Sequence, residues 1–450
     1  MSEIMNKKLT DFLELHPEVE IFEAILPDIN ANSRGKWIPA EKISKAFDGS
    51  LKIPRTTLGF DVWGRDVESW VLEDGDADGI CQGDSRTLAM VPWLERPTAQ
   101  LLVSMNEVSG EPCSFDPRNI LQDLMVRFDE LGLIPVVASE MEFHLFQNKN
   151  DKWGRPLHTQ NSQSGQATHG GNTYSIDVMQ QSSDLMHGII DTCKIQNLPI
   201  DTLIKEAARS QYEINLLHQA DALLAADQGL LLQRAIKGVA RQLSQRATFM
   251  AKPFGDIEGN GMHIHCSLID KDGNNAFNNG TEKGNDLLRS AIAGCLESMN
   301  DCMLLFAPHL NSYRRFQRGN HAPTSPCWGY DNRTVSIRVP ADNVKAMRLE
   351  HRVSGADANP YLVISAIIAG MLYGIENKLQ APSPIEGDAS QQTENSLPRY
   401  WPDALNAFEN SSFIKNYFGE SFQRVFREAK KQEMAEFDQQ VSIEEYDAYL

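Results

Sequence analysis

The chain lacks a surplus of basic residues, a long apolar run and paired cysteines. Its 450 residues hold 42 Lys and Arg against 61 Asp and Glu, a formal net charge of −19. A protein that binds nucleic acid without sequence preference needs a basic face, so this balance argues against such a function. An acidic surface is compatible with cationic substrates, although a solvated acidic surface explains the same charge.

Cysteine is scarce and has no metal-site spacing. The seven cysteines are an odd number, and no Cys-x-x-Cys occurs. This pattern favours reduced thiols over a disulfide framework and predicts a cytoplasmic protein. Residues 1–8 lack the apolar core of a secretory signal, and the longest apolar stretch, residues 361–373, is too short to span a bilayer. We therefore expect no membrane association.

Length and local patterns predict two domains. Residues 1–112 hold short apolar runs, such as 21–26 and 99–105, interrupted by Pro, Gly and Asp, which is typical of a small strand-rich domain. Residues 113–450 would form the second domain. There, Asp116 and Pro117 predict a helix start, Gly132 predicts its end, and residues 133–146 predict a strand. Further helices are expected at about 220–246, 284–307 and 356–378.

Acidic residues recur in short segments with polar residues at alternate positions. Alternate side chains of a strand share one face, so Glu140 and Glu142 would point into the same space, as would His263 and His265. Buried carboxylates are unstable unless a cation compensates them. Neighbouring arginines indicate an anionic substrate as well. The pattern predicts a divalent-metal site built from Glu140, Glu142, Glu206, Glu213, His263 and Glu350.

Two alternatives explain parts of this pattern. Glu140 and Glu142 by themselves fit a solvated strand face. His263 and His265 could share a zinc ion, but Cys266 would point to the opposite strand face and is a poor joint ligand.

Several motifs, in order, resemble those of the glutamine synthetase superfamily over nearly the whole chain. They are residues 247–254 (ATFMAKPF), 261–265 (GMHIH), 311–315 (NSYRR), 332–340 (NRTVSIRVP) and 356–362 (ADANPYL). Residues 34–39 (RGKWIP), 211–218 (QYEINLLH), 312–317 (SYRRFQ) and 444–450 (EEYDAYL) resemble the γ-glutamylpolyamine branch of that family. The resemblance implies an α+β fold: a small N-terminal β-grasp-like domain and a catalytic domain with an antiparallel half-barrel.

The resemblance also implies ATP-dependent amide formation, in which ATP phosphorylates the γ-carboxylate of glutamate and an amine attacks the acyl phosphate. Two or more Mg²⁺ or Mn²⁺ ions would assist. Glu142, Glu206 and Glu213 would hold one ion near glutamate, whereas Glu140, His263 and Glu350 would hold another at the ATP phosphates. Oxygen-rich ligand sets suit these metals.

The remaining implied roles fall on arginines, a glycine and the nucleotide strand. Arginine suits carboxylates and phosphates because its guanidinium forms bidentate hydrogen bonds, although any single one could be a surface ion pair. By resemblance, the catalytic residues are Asp61, Arg315 and Arg333. The ATP contacts are His265, Ser267, Arg333 and Arg338, and the glutamate contacts are Gly259, Arg315 and Arg352.

Three departures from the family's glutamine makers bear on the amine. Spacing favours Asp61, rather than Asp48, as the family aspartate. His321 stands where the flap of those enzymes has a glutamate, and we assign it to the amine site; an imidazole attracts a cation less than a carboxylate does. Glu258 stands where they have asparagine. These changes favour an organic amine, putrescine or a related polyamine, over ammonia.

Other functions stay open at this point. Enzyme alternatives are glutamine synthetase itself and ligases for ethanolamine or methylamine. A non-enzymatic relative or a nucleotide-binding transcriptional sensor is a further class, but every predicted metal ligand is retained and no basic tail occurs. The family implies a dodecamer of two hexameric rings, in which Asp61 acts at the active site of a neighbouring subunit.

Overall fold

The computed structural model describes residues 2–71, 75–159, 171–316, 322–341, 343–394 and 396–450, with side chains from residue 7 onward. Its strands form two sheets, one in the N-terminal quarter and one in the rest of the chain.

The first sheet has, in the described residues, six strands in the order β2-β1-β6-β4-β3, with β5 paired to β6. They are β1 (Ile21–Pro27), β2 (Ser33–Pro39), β3 (Lys52–Pro54), β4 (Asp78–Gly83), β5 (Ala89–Met90) and β6 (Thr98–Asn106). The pair β1–β6 is parallel and the other pairs are antiparallel. The apolar runs at 21–26 and 99–105 therefore do form strands. The β-grasp-like description and the division after residue 112 stay predictions.

The second sheet is larger and is built around one long strand, β7. Its strands are β7 (Leu133–Asn150), β8 (Pro156–His158), β9 (Ile200–Lys205), β10 (Gln211–Leu216), β11 (Gln245–Thr248), β12 (Met262–Asp270), β13 (Trp328–Tyr330), β14 (Ile337–Val339) and β15 (Leu349–His351). The order is β13-β14-β15-β12-β7-β10-β9, and β8 and β11 also pair with β7. All pairs are antiparallel except β13–β14.

Helices cover much of the remaining chain and, with the sheets, confirm the α+β class. They are α1 (Ser2–Leu15), α2 (Pro117–Glu130), α3 (Ile176–Gln181), α4 (Ser183–Ile195), α5 (Ala222–Gln242), α6 (Asp286–Ser298), α7 (Met303–Phe306), α8 (Pro360–Glu376), α9 (Ala389–Gln392), α10 (Trp401–Glu409), α11 (Ser412–Phe418), α12 (Glu420–Asp438) and α13 (Ile443–Tyr449).

The start and end signals of α2 are confirmed. The Asp116 carboxylate accepts a 2.9 Å hydrogen bond from the Arg118 N–H, and Pro117 occupies the first turn, where no intrahelical donor is needed. Gly132 has a φ of 71°, the left-handed conformation that glycine tolerates best after a helix. The chain then enters β7 directly, so this helix end sets where the central strand begins.

Two predicted helices have different limits in the structure. The helix expected over 220–246 ends at Gln242, and Ser244, with a φ of 54°, turns the chain into β11. Residues 245–248 pair with β7, so cross-strand hydrogen bonds replace the last helical turn. The segment expected as one helix over 284–307 is divided between α6 and α7.

The apolar helix α8 is buried along nearly its whole length and packs against α6. A Cβ at Gly294 of α6 would lie 2.0 Å from the Gly370 carbonyl oxygen of α8. Glycine is therefore required where the two backbones touch. This apolar helix pair belongs to the main hydrophobic core, which also includes β7 and β12, the strands that carry the site.

Candidate active site

Strand register places the predicted carboxylates on one face of the second sheet. β7 lies between β12 and β10, with Glu140 opposite His263 and Glu142 opposite Glu213. Glu140 and Glu142 are two residues apart and therefore share a face. Directly opposite residues of paired strands are close neighbours, so the register gathers these four groups.

Glu140 is the centre of this group. Its carboxylate forms hydrogen bonds with His263 Nδ1 at 3.2 Å and with His265 Nε2 at 2.8 Å. Burial raises the pKa of Glu140, but the two imidazoles outweigh burial and hold that pKa far below its usual range. Ligand atoms lie within 4.8 Å of one another in two sets, Glu140 with His265 and Glu350, and Glu140 with Glu213 and His263. These two geometric sets share Glu140 and group the residues differently from the two predicted sets, since His265 joins Glu350 and Glu213 joins His263.

Two further glutamates have raised pKa values. Burial, then the charges of Glu140, Glu142 and Glu206, raises the pKa of Glu213 to about 9. Burial and the neighbouring Glu142 also raise the pKa of Glu206. A divalent cation would return such carboxylates to their charged form, and an oxygen-rich donor set is what Mg²⁺ or Mn²⁺ takes. The residues present therefore fit these metals.

Glu350 is compensated within the protein by two arginines. Arg338 Nη1 donates to Glu350 Oε2 at 2.9 Å, and Arg352 Nη1 donates to Glu350 Oε1. Burial raises the pKa of Glu350, but the charge of Arg352, aided by nearby histidines, holds it below its usual value. Arg338 also donates to Asp331 at 2.6 Å. The predicted ATP contact of Arg338 and glutamate contact of Arg352 stay predictions.

Gln211 is a site residue that the sequence analysis does not assign. Its side chain is buried on β10, and Nε2 donates to Glu142 Oε2 at 3.2 Å and to the Gly259 carbonyl at 2.9 Å. The Gly261 N–H donates to the same Glu142 oxygen at 2.8 Å. Gln211 therefore fixes both Glu142 and the loop that carries Gly259. The sequence could have indicated this role, because Gln211 and Glu213 are two residues apart on one strand and therefore share a face.

Gly259 lies where backbone segments approach closely. A Cβ there would be 2.2 Å from the Ala251 carbonyl oxygen and 3.0 Å from Arg315 Cγ. The fold thus requires glycine before any ligand is considered. Arg315 beside it is nearly buried and donates from Nη1 to the Val353 carbonyl at 3.1 Å. Burial lowers the pKa of Arg315, but a guanidinium remains charged at neutral pH.

These side chains surround a cavity of about 370 Å³. The predicted site residues in its wall are Glu140, Glu142, Glu206, Glu213, Gly259, His263, Arg315, Arg333 and Arg352. The wall also contains Tyr174, Lys252 and Glu258, which no prediction assigns to a ligand. The cavity therefore combines a carboxylate cluster with three arginines, as joint binding of metal ions and an anion requires.

A larger cleft of about 700 Å³ adjoins the cavity, and Glu140 and Asn215 line both spaces. His265 and Ser267, two predicted ATP contacts, lie together in the cleft wall with Arg348. Arg348 Nε donates to His265 Nδ1 at 3.1 Å, which orients this imidazole towards Glu140 through its other nitrogen. The cavity and the cleft therefore meet at the carboxylate of Glu140.

Asp61 lies in neither space within the described part of the chain. Its side chain is fully buried and accepts hydrogen bonds from Arg65 Nε at 2.8 Å, Gln432 Nε2 at 3.0 Å and the Trp63 N–H at 3.0 Å. In this chain Asp61 stabilises a turn, and its role at a neighbour's active site stays a prediction. His321, the predicted amine residue, lies outside the described residues.

Comparison with known proteins defines the class to which this fold and site belong. The family model for the glutamine synthetase catalytic domain matches residues 114–449, so the chain belongs to the glutamine synthetase family. It is 35% identical to gamma-glutamylputrescine synthetase PuuA of Escherichia coli (strain K12), over 98% of this chain and 93% of that protein. It is 32% identical to glutamate–isopropylamine ligase of a Pseudomonas species, over 98% of this chain and 97% of that protein.

Structural comparison agrees on the fold. A solved structure described as "GmaS/ADP complex-Conformation 1" superposes with a TM-score of 0.86 at 25% identity, covering 98% of this chain and 99% of that one. The fold is therefore of the glutamine synthetase type. Among the described helices, none combines the length and the apolar character that a membrane span needs.

Proposed function

We propose that the chain is an ATP-dependent glutamate–amine ligase whose amine is putrescine or a related polyamine. The observation that carries this proposal is the meeting of two spaces at Glu140. Glutamate would occupy the cavity with the arginines, and ATP would occupy the cleft that contains His265 and Ser267. Two anionic substrates would then approach each other beside a carboxylate cluster that needs cations.

The reaction has two steps. An oxygen of the glutamate γ-carboxylate attacks the γ-phosphorus of ATP, the bond to the β-phosphate oxygen breaks, and ADP leaves. The neutral amine nitrogen of the second substrate then attacks the γ-carbonyl carbon, and phosphate leaves with the electrons of the C–O bond. Of the two protons that the original ammonium loses, one goes to the departing phosphate and one to solvent.

Cationic side chains of the cavity make this approach of anions feasible. Arg315 is nearly buried and oriented by the Val353 carbonyl, so its guanidinium is preorganised for a carboxylate or phosphoryl oxygen. Arg333 is an exposed residue in the same wall and would reach the phosphoryl group from the solvent side. Fixed cations beside a transferring phosphoryl group stabilise the charge that develops there.

The divalent ions would be held by Glu140, Glu142, Glu206, Glu213, His263 and Glu350. When bound, Mg²⁺ or Mn²⁺ supplies positive charge to the phosphoryl and carboxylate oxygens. The protein's own part is to hold the ligands in place: Gln211 and the Gly261 N–H fix Glu142, and the imidazoles of His263 and His265 fix Glu140.

The choice of an organic amine is supported by two relatives whose names specify putrescine and isopropylamine. Ammonia is the alternative, since the family also contains glutamine synthetases. The test is phosphate release from purified protein with ATP, Mg²⁺ and glutamate, across ammonia, putrescine, spermidine, ethanolamine and methylamine. We expect activity with a diamine or polyamine and little with ammonia. A clear preference for ammonia would make the protein a glutamine synthetase, and omission of glutamate provides the blank.

We also propose that the protein is a homo-oligomer, a dodecamer of two hexameric rings with shared active sites. Subunits carrying Asp61→Ala and subunits carrying Glu213→Ala, each inactive alone, should regain partial activity when mixed. No recovery, despite subunit exchange shown by native mass spectrometry, would argue for active sites contained within one chain and for a purely structural Asp61.

A further inference from the structure

Glu258 is a cavity carboxylate that the proposed mechanism does not use. It lies in the cavity wall beside Gly259 and is half-buried. The other carboxylates of that wall, Glu140, Glu142, Glu206 and Glu213, all belong to the predicted metal set. Among the described side chains, none forms a hydrogen bond or an ion pair with the Glu258 carboxylate. A partly buried carboxylate without such a direct contact gains free energy when a ligand brings a cation to it.

The nearby Lys205 does not supply this partner. Its ammonium is buried and donates to the carbonyl of Glu206 and, at 2.7 Å, to the carbonyl of Ala208. These contacts fix the turn after β9, and they occupy the ammonium of Lys205, which forms no direct bond with Glu258. Lys205 is close enough to interact electrostatically with Glu258, which sets Glu258 near the Glu206–Ala208 turn. Lys252 of the same wall also interacts electrostatically with Glu258 without forming a direct ion pair.

The same part of the wall contains apolar surface. Ile204, Ala207 and Tyr174 line the cavity together with Glu206 and Glu258. The Tyr174 N–H donates to the Lys205 carbonyl at 2.9 Å, so its backbone is attached to the strand β9 that carries Ile204. Methylene groups gain free energy on such a surface, whereas a free ammonia molecule has none to bury.

A diamine substrate would use both the carboxylate of Glu258 and the apolar surface beside it. The attacking nitrogen must be neutral, but the distal amino group has an ordinary pKa near 10, by analogy with lysine, and stays charged. A charged group that enters a cavity needs an opposite charge or hydrogen-bond acceptors. We propose that Glu258 accepts the distal ammonium of a diamine or polyamine substrate and thereby selects it over monoamines. This inference rests on the proposed function and names the residue that would decide its substrate class.

The test compares 1,4-diaminobutane with n-butylamine, which has the same carbon chain and one ammonium. We expect Glu258→Gln to lower the ratio of kcat/KM for the diamine over the monoamine by about 10-fold or more, the factor contributed by one charge-assisted hydrogen bond. The fall should appear mainly in the KM for the diamine, and Glu258→Asp should restore part of it. Asp256→Asn is the matched control, since Asp256 is an exposed carboxylate two residues earlier on the same loop.

Three outcomes would overturn the inference. An unaltered ratio of kcat/KM for the diamine over the monoamine in Glu258→Gln would show that Glu258 does not bind the distal ammonium. A parallel rise in the KM for glutamate would assign Glu258 to the α-ammonium of glutamate instead. Wild-type protein that ligates ammonia but no organic amine would overturn the proposed amine class, and the inference with it. A thermal melt of each variant confirms that the fold is intact.

Discussion

Two groups of carboxylates in this chain, one fully buried and one mostly half-buried, have opposite surroundings. The first, which we call the junction cluster, consists of the carboxylates Asp28, Asp61 and Glu433 together with the cation Lys430, where α12 packs against the N-terminal region. Lys430 Nζ donates to Glu433 Oε2 at 2.9 Å, and Arg34 Nε donates to Asp28 Oδ2 at 2.8 Å. Each carboxylate of the junction cluster has its own donors within the protein.

The second group, the cavity cluster, consists of Glu140, Glu142, Glu206 and Glu213. Here the strongest influences on Glu213, after burial, are the other three carboxylates. The difference shows how the two groups are used. Charges that the protein neutralises by itself hold elements together, whereas carboxylates that face one another create a demand for cations and hence a binding site.

The largest expected difference between the cavity cluster and the junction cluster is the effect of a substitution on catalytic activity. We expect Glu213→Gln to lower kcat/KM by about 10³-fold, because a predicted ligand to the metal ion near the glutamate carboxylate is lost. The free energy of unfolding of the metal-free protein should change little, because a carboxyl with a pKa of about 9 is already protonated at neutral pH. Steady-state phosphate release and urea unfolding measure the two quantities. The exposed Glu282→Gln is the control, and a large loss of stability in Glu213→Gln would contradict the comparison.

The junction cluster should respond in the opposite way. Lys430 and Glu433 are both fully buried, and Lys430→Met leaves the Glu433 charge without its cation. Removal of one partner of a buried ion pair costs about 3–5 kcal/mol of unfolding free energy. The neighbouring Lys431→Met is the control, since Lys431 pairs with Glu409 on the surface at 2.9 Å and should cost less than about 1 kcal/mol. Equal losses in the two variants would show that the junction cluster does not carry the stability assigned to it.

Metal ions should stabilise the protein through the cavity cluster and its neighbours His263 and Glu350, and not through the junction cluster. At a concentration 100-fold above its dissociation constant, a cation that binds only the folded state contributes about 2.7 kcal/mol. We expect Mg²⁺ or Mn²⁺ to raise the Tm of wild-type protein and of Lys430→Met by similar amounts, and to raise that of Glu213→Gln much less. Differential scanning fluorimetry with and without EDTA measures this, and an equal shift in Glu213→Gln would place the metal elsewhere.

The smallest expected effect is on the pH dependence of stability. The folded-state pKa of Glu213 is raised to about 9 from an ordinary 4.5 by burial and by neighbouring carboxylates. Such a group contributes stability that is fully present below pH 4.5 and is lost as the pH rises through about 9. The Tm of EDTA-treated protein should therefore fall by a few degrees between neutral pH and pH 9, and Glu213→Gln should show a shallower fall. Parallel profiles for the two proteins would remove Glu213 as the cause.

Local features of the fold can be predicted from the sequence. The limits of α2 follow from Asp116, Pro117 and Gly132, which act within a single helical turn. Alternation of polar residues likewise predicts that Glu140 and Glu142 share a face. The sequence did not predict where the helix α5 ends. Residues 245–248 form a strand only through their pairing with β7, about a hundred residues away in sequence.

The candidate site likewise has features that the sequence predicts and features that only the structure shows. The motifs around Glu140, Glu213 and His263 are local in sequence, so the sequence by itself determines the family and the oxygen-rich character of the predicted metal ligands. Strand register and packing decide that Glu140 belongs to both ligand sets and lines both spaces, and that Gln211 fixes Glu142.

Asp61 gives the clearest division between what the sequence determines and what tertiary structure decides. Its spacing predicts that it is the family aspartate, yet its carboxylate is bound by Gln432, which is 371 residues away in sequence. Such contacts depend on how α12 packs against the segment that follows β3, and no local pattern encodes them. The sequence by itself determined the ligand types and their strand faces, because periodicity and capping act over a few residues. Only the tertiary structure decided which charges are neutralised within the protein and which are exposed to a ligand, because that depends on the residues that long-range packing brings together.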